Sequence, residues 1–122
     1  MLIRYKKSFE KIAMGLLSFM PEGKEVKRLQ QTIKEYEIND NWHLYLWKED
    51  DILGAIGIHT EEEGVAIIQH ITVNPSHRNQ GIGKKMVQAI KKMYKENYVV
   101  KPNDLTEHFM LKCESFQNEN EL

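Results

Sequence analysis

Apolar residues recur along this chain at two periods, and the period changes twice. From Ser8 to Phe19 the apolar positions Phe9, Ile12, Ala13, Leu16 and Leu17 fall three or four residues apart or adjacent. That spacing gathers side chains on one face of a helix. Ser8 stands where a cap is expected, and Pro21 and Gly23 end the run. Val26, Leu29, Ile33 and Tyr36 form a second such stripe and predict a helix from about Lys24 to Glu37. Ahead of both, Met1–Lys6 reads as a short strand.

The middle of the chain shifts to alternation. His43–Glu49, Ile52–Thr60 and Val65–Val73 read as three strands, separated by turn candidates at Asp50-Asp51 and Glu61–Gly64. Three short strands joined this way predict an antiparallel meander. Gly54 and Gly57, inside the second strand, point to a bulge or to close approach of another group. After the loop Asn74–Gln80 the helical period returns, from Gly81 to about Glu96, with Ile82, Met86, Val87, Ile90 and Met93 on one face. Tyr98–Val100 is a short strand ended by Pro102. Leu105–Glu114 is a last helix with Leu105, Phe109 and Met110 inward. The order β-α-α-β-β-β-α-β-α defines an α/β fold with a mostly antiparallel sheet.

Composition narrows the class. A chain of 122 residues, 41% hydrophobic and 29% charged, is expected to form one globular domain, residues 1–116, followed by a polar tail, 117–122. Seventeen Lys and Arg against 18 Asp and Glu leave a net charge of −1, so no basic field points to nucleic acid. Cys113 is the single cysteine, which excludes an intrachain disulfide and fits a cytoplasmic protein. No apolar run is long enough for a membrane span or a leader. No His or carboxylate pair has metal-ligand spacing.

One segment carries candidate chemistry. In His70-Ile71-Thr72-Val73-Asn74-Pro75-Ser76-His77-Arg78-Asn79-Gln80-Gly81-Ile82-Gly83-Lys84 a strand ends, a turn follows and a helix begins. The two glycines allow close approach of a ligand. The first-turn amides lack helical acceptors, and the helix dipole adds positive potential. Together they form a cradle for phosphate or pyrophosphate. A Walker A loop is excluded, because Lys85 follows Gly83-Lys84 and position 78 is Arg. A dinucleotide fingerprint is excluded as well, because its third glycine position is Met86. Lys84 and Lys85 lie near the cradle, whereas Lys91, Lys92 and Lys95 read as a solvated face.

Arg78-x-x-Gly81-x-Gly83, preceded by Val73-x-Pro75, resembles the acetyl-CoA-binding motif of the GCN5-related N-acetyltransferases, the GNAT superfamily. The motif match spans Ile71 to about Met86, and the order of elements extends it loosely from Met1 to Glu114. A narrower likeness, carried by Met1–Ala13 and Val73–Arg78, is to small bacillar proteins encoded beside riboflavin-biosynthesis genes. The resemblance implies a mixed sheet with one parallel, splayed junction and helices on both faces. It implies acetyl-CoA as cosubstrate and a small-molecule or peptide amine as acceptor, attacking the thioester directly. Amides of Ile71 and Val73 would pair with the pantetheine arm, and the amide near Val73 would polarise the carbonyl. Amides over Arg78, Asn79, Gln80, Gly81, Ile82, Gly83 and Lys84 would hold the pyrophosphate. Asn103 and Phe109 are the further cofactor-binding positions.

The chain also departs from the family. Met110 stands where many members carry a Tyr that protonates the leaving thiolate, and Thr106 replaces the usual Ala. Cys113-Glu114-Ser115-Phe116 replaces a Gly-Phe. The final pair of family strands is missing or donated by a partner, which implies a homodimer. The alternative reading is therefore a CoA-binding regulatory or interaction module with little catalysis. A nucleotide-hydrolysing cradle is a third. His70 is the candidate general base, against a structural His as the plainer role, and His59 and His77 have weaker cases. Glu61-Glu62-Glu63 reads as a solvated turn, and Trp42 and Trp47 read as packing residues.

Overall fold

A computed structural model describes residues 1–20 and 25–111. The expected helix breakers Pro21 and Gly23, the end of the last helix, Cys113 and the tail 117–122 lie outside the described residues. Strand β1 is Leu2–Arg4 and a 3-10 turn covers Lys7–Phe9. Helices α1 (Glu10–Leu17) and α2 (Val26–Ile38) follow. Strands β2 (Trp42–Lys48), β3 (Ile52–His59) and β4 (Val65–Val73) come next. A second 3-10 turn, Pro75–His77, leads to α3 (Ile82–Tyr94) and β5 (Val99–Pro102). The backbone is helical again over 107–111.

Ser8 does not cap a helix. It lies within the 3-10 turn, and α1 starts at Glu10 with no side-chain cap. Two stripe positions are also corrected. Val26 is 62% exposed at the first turn of α2, and Met93 is 51% exposed near the end of α3. Ile12, too, faces outward. Each helix buries only the positions that lie over the sheet.

The sheet order is β1-β2-β3-β4-β5. The first three pairings are antiparallel and the β4–β5 pairing is parallel. A parallel pair needs a crossover, and α3 supplies it. Side chains alternate across the sheet into two cores. On one face Ile56, Ile58, Ala66, Ile68, Ile71 and Val73 pack under Met86, Val87 and Ile90 of α3. On the other, Leu44, Leu46 and Ala55 pack under Leu16, Leu17, Leu29, Ile33 and Tyr36 of α1 and α2.

Two irregularities shape β4. Gly57 pairs with His70 and Ile58 with Ile68, so Gln69 is an extra residue. This bulge reverses the alternation. Ala66 and Ile68 face α3 before it, Ile71 and Val73 face α3 after it, and the consecutive residues Gln69 and His70 both reach Tyr36 of α2. The second irregularity is the short partner strand. β5 pairs with β4 only from Val65–Val99 to Ile68–Pro102. Beyond Ile68, β4 continues for five residues without β5 beside it. The parallel, splayed junction expected of the sequence is present.

Candidate functional site

The open edge of β4 is the foundation of the site. A residue's N–H and C=O leave a strand on the same side, and the side alternates along the chain. The Asn74 amide donates to Leu53 O of β3 at 2.8 Å. Thr72 therefore turns its backbone polar groups to β3, and Ile71 and Val73 turn theirs to the splay. Val73 O accepts from Arg78 Nε at 3.2 Å, leaving the Ile71 and Val73 amides on the open edge.

Residues 103–106 fix where the splay begins. Thr106 Oγ1 donates to Ile68 O at 2.6 Å, and the Asn103 amide lies 3.3 Å from the same carbonyl. Asn103 Oδ1 accepts from the Thr106 amide at 2.9 Å. The carbonyl of the last paired residue is thus taken up by a turn, and among the described residues no strand continues along β4. Asn103 caps the turn into the final helical segment and is not part of the cavity wall.

The turn from β4 into α3 is built from residues with special backbone requirements. Asn74 Oδ1 accepts from the Ser76 amide at 3.0 Å, and Pro75 enters the 3-10 turn without needing a donor. Asn79 (φ 66°) and Gly81 (φ 77°) are left-handed, a region that Gly and Asn occupy most readily. Gly81 is the N-cap of the 13-residue α3 and offers no side chain to its first amides. A Cβ on Gly81 would meet open space. Gly83 differs. Its Cβ would lie 2.3 Å from Cζ of Phe109, so Gly83 makes room for an aromatic ring.

A cavity of about 550 Å³ opens along this edge. Ile71, Thr72 and Val73 form its floor, and Arg78, Asn79, Gly81, Ile82, Gly83 and Lys84 one wall. Phe109, Leu105 and His108 close the α3 side, and Phe19 and Met20, just after α1, bound the other. The cavity therefore reaches both faces of the sheet through the splay. Its described lining holds Arg78, Lys84, His77 and His108 and no Asp or Glu, a composition suited to a polyanion. The Arg78 guanidinium sits 6.0 Å from the Phe19 ring centre, joining the motif loop to the end of α1.

Of the expected site residues, Ile71, Val73, Arg78, Asn79, Gly81, Ile82, Gly83, Lys84 and Phe109 come together at the cavity, whereas Gln80, Asn103 and His70 do not line it. His70 belongs to a cluster beside it. Burial raises the pKa of the Tyr36 phenol far above its ordinary value, and a hydrogen bond from Gln69 acts in the opposite sense. The phenol is therefore protonated. It accepts from Gln69 Nε2 at 2.9 Å and shares a hydrogen bond of 2.6 Å with His70 Nδ1. Gly57, the cross-strand partner of His70, makes the space: its Cβ would lie 1.8 Å from the Tyr36 hydroxyl. Phe19, Met20, Thr72 and His108 were not singled out from the sequence. They come from three separate segments, and of these only Thr72 lies within the stretch that carries the motif. Among the described residues no group of three or more His, Cys, Asp or Glu is placed to hold a metal. No helix among them is long and apolar enough to cross a membrane.

The comparisons agree with this geometry. The profile of the acetyltransferase (GNAT) family matches residues 10–114. An uncharacterized N-acetyltransferase encoded in the lysA 3' region of Bacillus methanolicus is 56% identical over 115 residues, 93% of this chain and 95% of that protein. Among solved structures, AAC(6')-Iy in complex with the bisubstrate analogue CoA-S-monomethyl-acetylneamine superposes with a TM-score of 0.72 at 16% identity, over 92% of this chain and 84% of that one. A GNAT family acetyltransferase of Staphylococcus aureus superposes with a TM-score of 0.68 at 21% identity, over 85% of each chain. The chain belongs to the acetyltransferase (GNAT) family. It is an acetyltransferase enzyme.

Proposed function

We propose that the chain transfers the acetyl group of acetyl-CoA to a primary amine of a small molecule or peptide, with the two substrates meeting in the splay. The observation that carries this reading is the cavity that joins the two faces of the sheet beside the unpaired edge of β4. On the α3 side, the amides of Ile82, Gly83 and Lys84, with those of the Arg78–Gly81 loop and the cations of Arg78 and Lys84, hold the pyrophosphate. The Ile71 and Val73 amides pair with the pantetheine arm as an added strand would, and Phe109 packs against it. Gln80 and Asn103 act through the backbone shape of their turns. The amine enters from the side of Phe19 and Met20.

The reaction follows from that placement. The amine nitrogen attacks the thioester carbon, and the Val73 N–H stabilises the charge that develops on the carbonyl oxygen. The C–S bond breaks and the CoA thiolate leaves. Met110, where many family members place an acid, is 4% exposed in the core and donates no proton. None is needed, since a thiol with a pKa of about 8.5 is a tolerable leaving group near neutral pH. The harder step is loss of the amine proton, from a group with a pKa of about 10.4. His70 is the candidate base on β4, but its Nδ1 is engaged by Tyr36 and its side chain is off the cavity wall. That favours water as the proton acceptor and a structural role for His70.

The same reading makes residues 1–116 one acyl-CoA-binding domain and the protein cytoplasmic. A second copy placed on the outer edge of β5 would make a homodimer. The likeness to RibT, the small protein encoded beside riboflavin genes in bacilli, points to a flavin-pathway amine as acceptor. Calorimetry on Gly81→Val tests the cradle. A side chain there is strained and fills the space reserved for the pyrophosphate. CoA affinity should fall at least tenfold, about 1.4 kcal/mol, with circular dichroism unchanged. Equal affinity would place the cosubstrate elsewhere.

A further inference from the structure

We propose that the Thr72 hydroxyl is a second hydrogen-bond donor to the carbonyl oxygen of the acetyl group. The inference rests on the reading that acetyl-CoA lies along the open edge of β4. Thr72 is 5% exposed, and its Oγ1 is closed off from water with no hydrogen-bond partner among the described residues. A buried hydroxyl without a partner is a cost that a folded chain normally avoids. Thr72 nevertheless lines the cavity, between the two residues whose amides face the splay.

Its position gives the hydroxyl a use. Ile71 and Val73 point to the α3 core, so Thr72 points to the opposite face, the side bounded by Phe19 and Met20. The Val73 amide approaches a carbonyl in the splay within the plane of the sheet. The Thr72 side chain approaches the same point from the face. Donors aimed at a thioester carbonyl oxygen also stabilise the charge it takes on during acyl transfer. Rotation about χ1 exchanges the hydroxyl with the methyl group. Turning the O–H to the bound carbonyl therefore needs no backbone movement and breaks no existing hydrogen bond.

Acetyl-CoA and CoA differ only in the acetyl group, so their comparison isolates the contact without knowledge of the acceptor. Calorimetry with both ligands on wild type, Thr72→Val and Thr72→Ser is the test, together with thermal melts of each ligand-free protein. Valine keeps the shape and removes the donor. The expected result is acetyl-CoA affinity about fivefold or more weaker in Thr72→Val, CoA affinity within about twofold of wild type, and near-complete recovery in Thr72→Ser. The ligand-free Thr72→Val protein should melt no lower than wild type, because no partner is lost. Equal effects on both ligands, or on neither, would overturn the proposal. So would a lower melting temperature for Thr72→Val reversed by serine, which would give the hydroxyl a structural partner. Should valine prevent folding, Thr72→Ala serves in its place. If wild type binds neither ligand, the CoA reading itself falls, and that outcome is distinct from binding that ignores Thr72.

Discussion

The two glycines of the motif do different physical work, and Gly83→Ala separates them. An alanine Cβ at this position would stand 2.3 Å from Cζ and 2.7 Å from Cε1 of Phe109, where ordinary contact begins at 3.4 Å. The ring must retreat by about 1 Å, and overpacking of this kind costs about 1–3 kcal/mol. Alanine in the first turn of α3 returns up to about 1 kcal/mol of helix propensity. The single variant should therefore lose about 0–3 kcal/mol. Phe109→Ala alone loses buried ring contacts, by about 2 kcal/mol for a half-buried side chain. In the double variant the new methyl group finds the space vacated by the ring. The double should then be about 1–3 kcal/mol more stable than the sum of the two singles implies. Urea titration of the four proteins measures this coupling. Additivity within about 0.5 kcal/mol would mean that the ring does not rest on Gly83, and the assignment of that glycine to packing would be wrong.

Two further outcomes follow from the same geometry. Gly57→Ala drives a methyl group into the Tyr36 hydroxyl and strips Gln69 and His70 of their shared partner, at a cost of about 2–5 kcal/mol; Tyr36→Phe in the same chain should recover part of the loss, and a Gly57→Ala midpoint within about 0.5 kcal/mol of wild type would refute the contact. Burial first, and then the Arg4 guanidinium, hold the His43 pKa below its ordinary value, opposed by Asp40. The unfolded chain therefore takes up its proton first as pH falls below about 6.5, and folding stability should decline from there until the folded His43 is itself protonated. His43→Gln should flatten that slope in urea melts run across pH, and an unchanged slope would assign it to other groups.

Much of the architecture is legible in the chain. Alternation over His43–Val73 locates three strands to within a residue or two of β2, β3 and β4. The motif at Arg78–Gly83 locates the start of α3, because a helix N-terminus and its glycine are local in sequence. What escapes is set by contacts between distant segments. The bulge at Gln69 turns two adjacent polar residues toward one phenol, and nothing in the alternation of β4 marks where the parity changes. The role of Gly83 depends on a ring 26 positions later. Phe19 reads only as the end of a helix, yet its ring, 49% exposed, lies under Arg78. Stripe arguments overreach at helix ends for the same reason: Val26 and Met93 keep the period after the helix has run past the sheet.

The splay also bears on the order in which the chain assembles. Strands β2 to β4 lie in the sheet as they come in sequence, each joined to the next by a short turn. β5 reaches β4 only across the whole of α3, and it holds four register pairs. Contacts closed over longer separations pay more chain entropy before they return any stability. The meander is thus expected to form early, and the docking of α3, β5 and the turn at Asn103 to complete the ligand-binding edge late. A ligand that needs that edge stabilises only the completed chain, by about 2.7 kcal/mol at a hundredfold excess over Kd. Hydrogen exchange would then slow most in β5 and at the start of α3 when CoA is added, while amides in β2 and β3 change least. Cosubstrate binding would then fasten the segments that are expected to dock last.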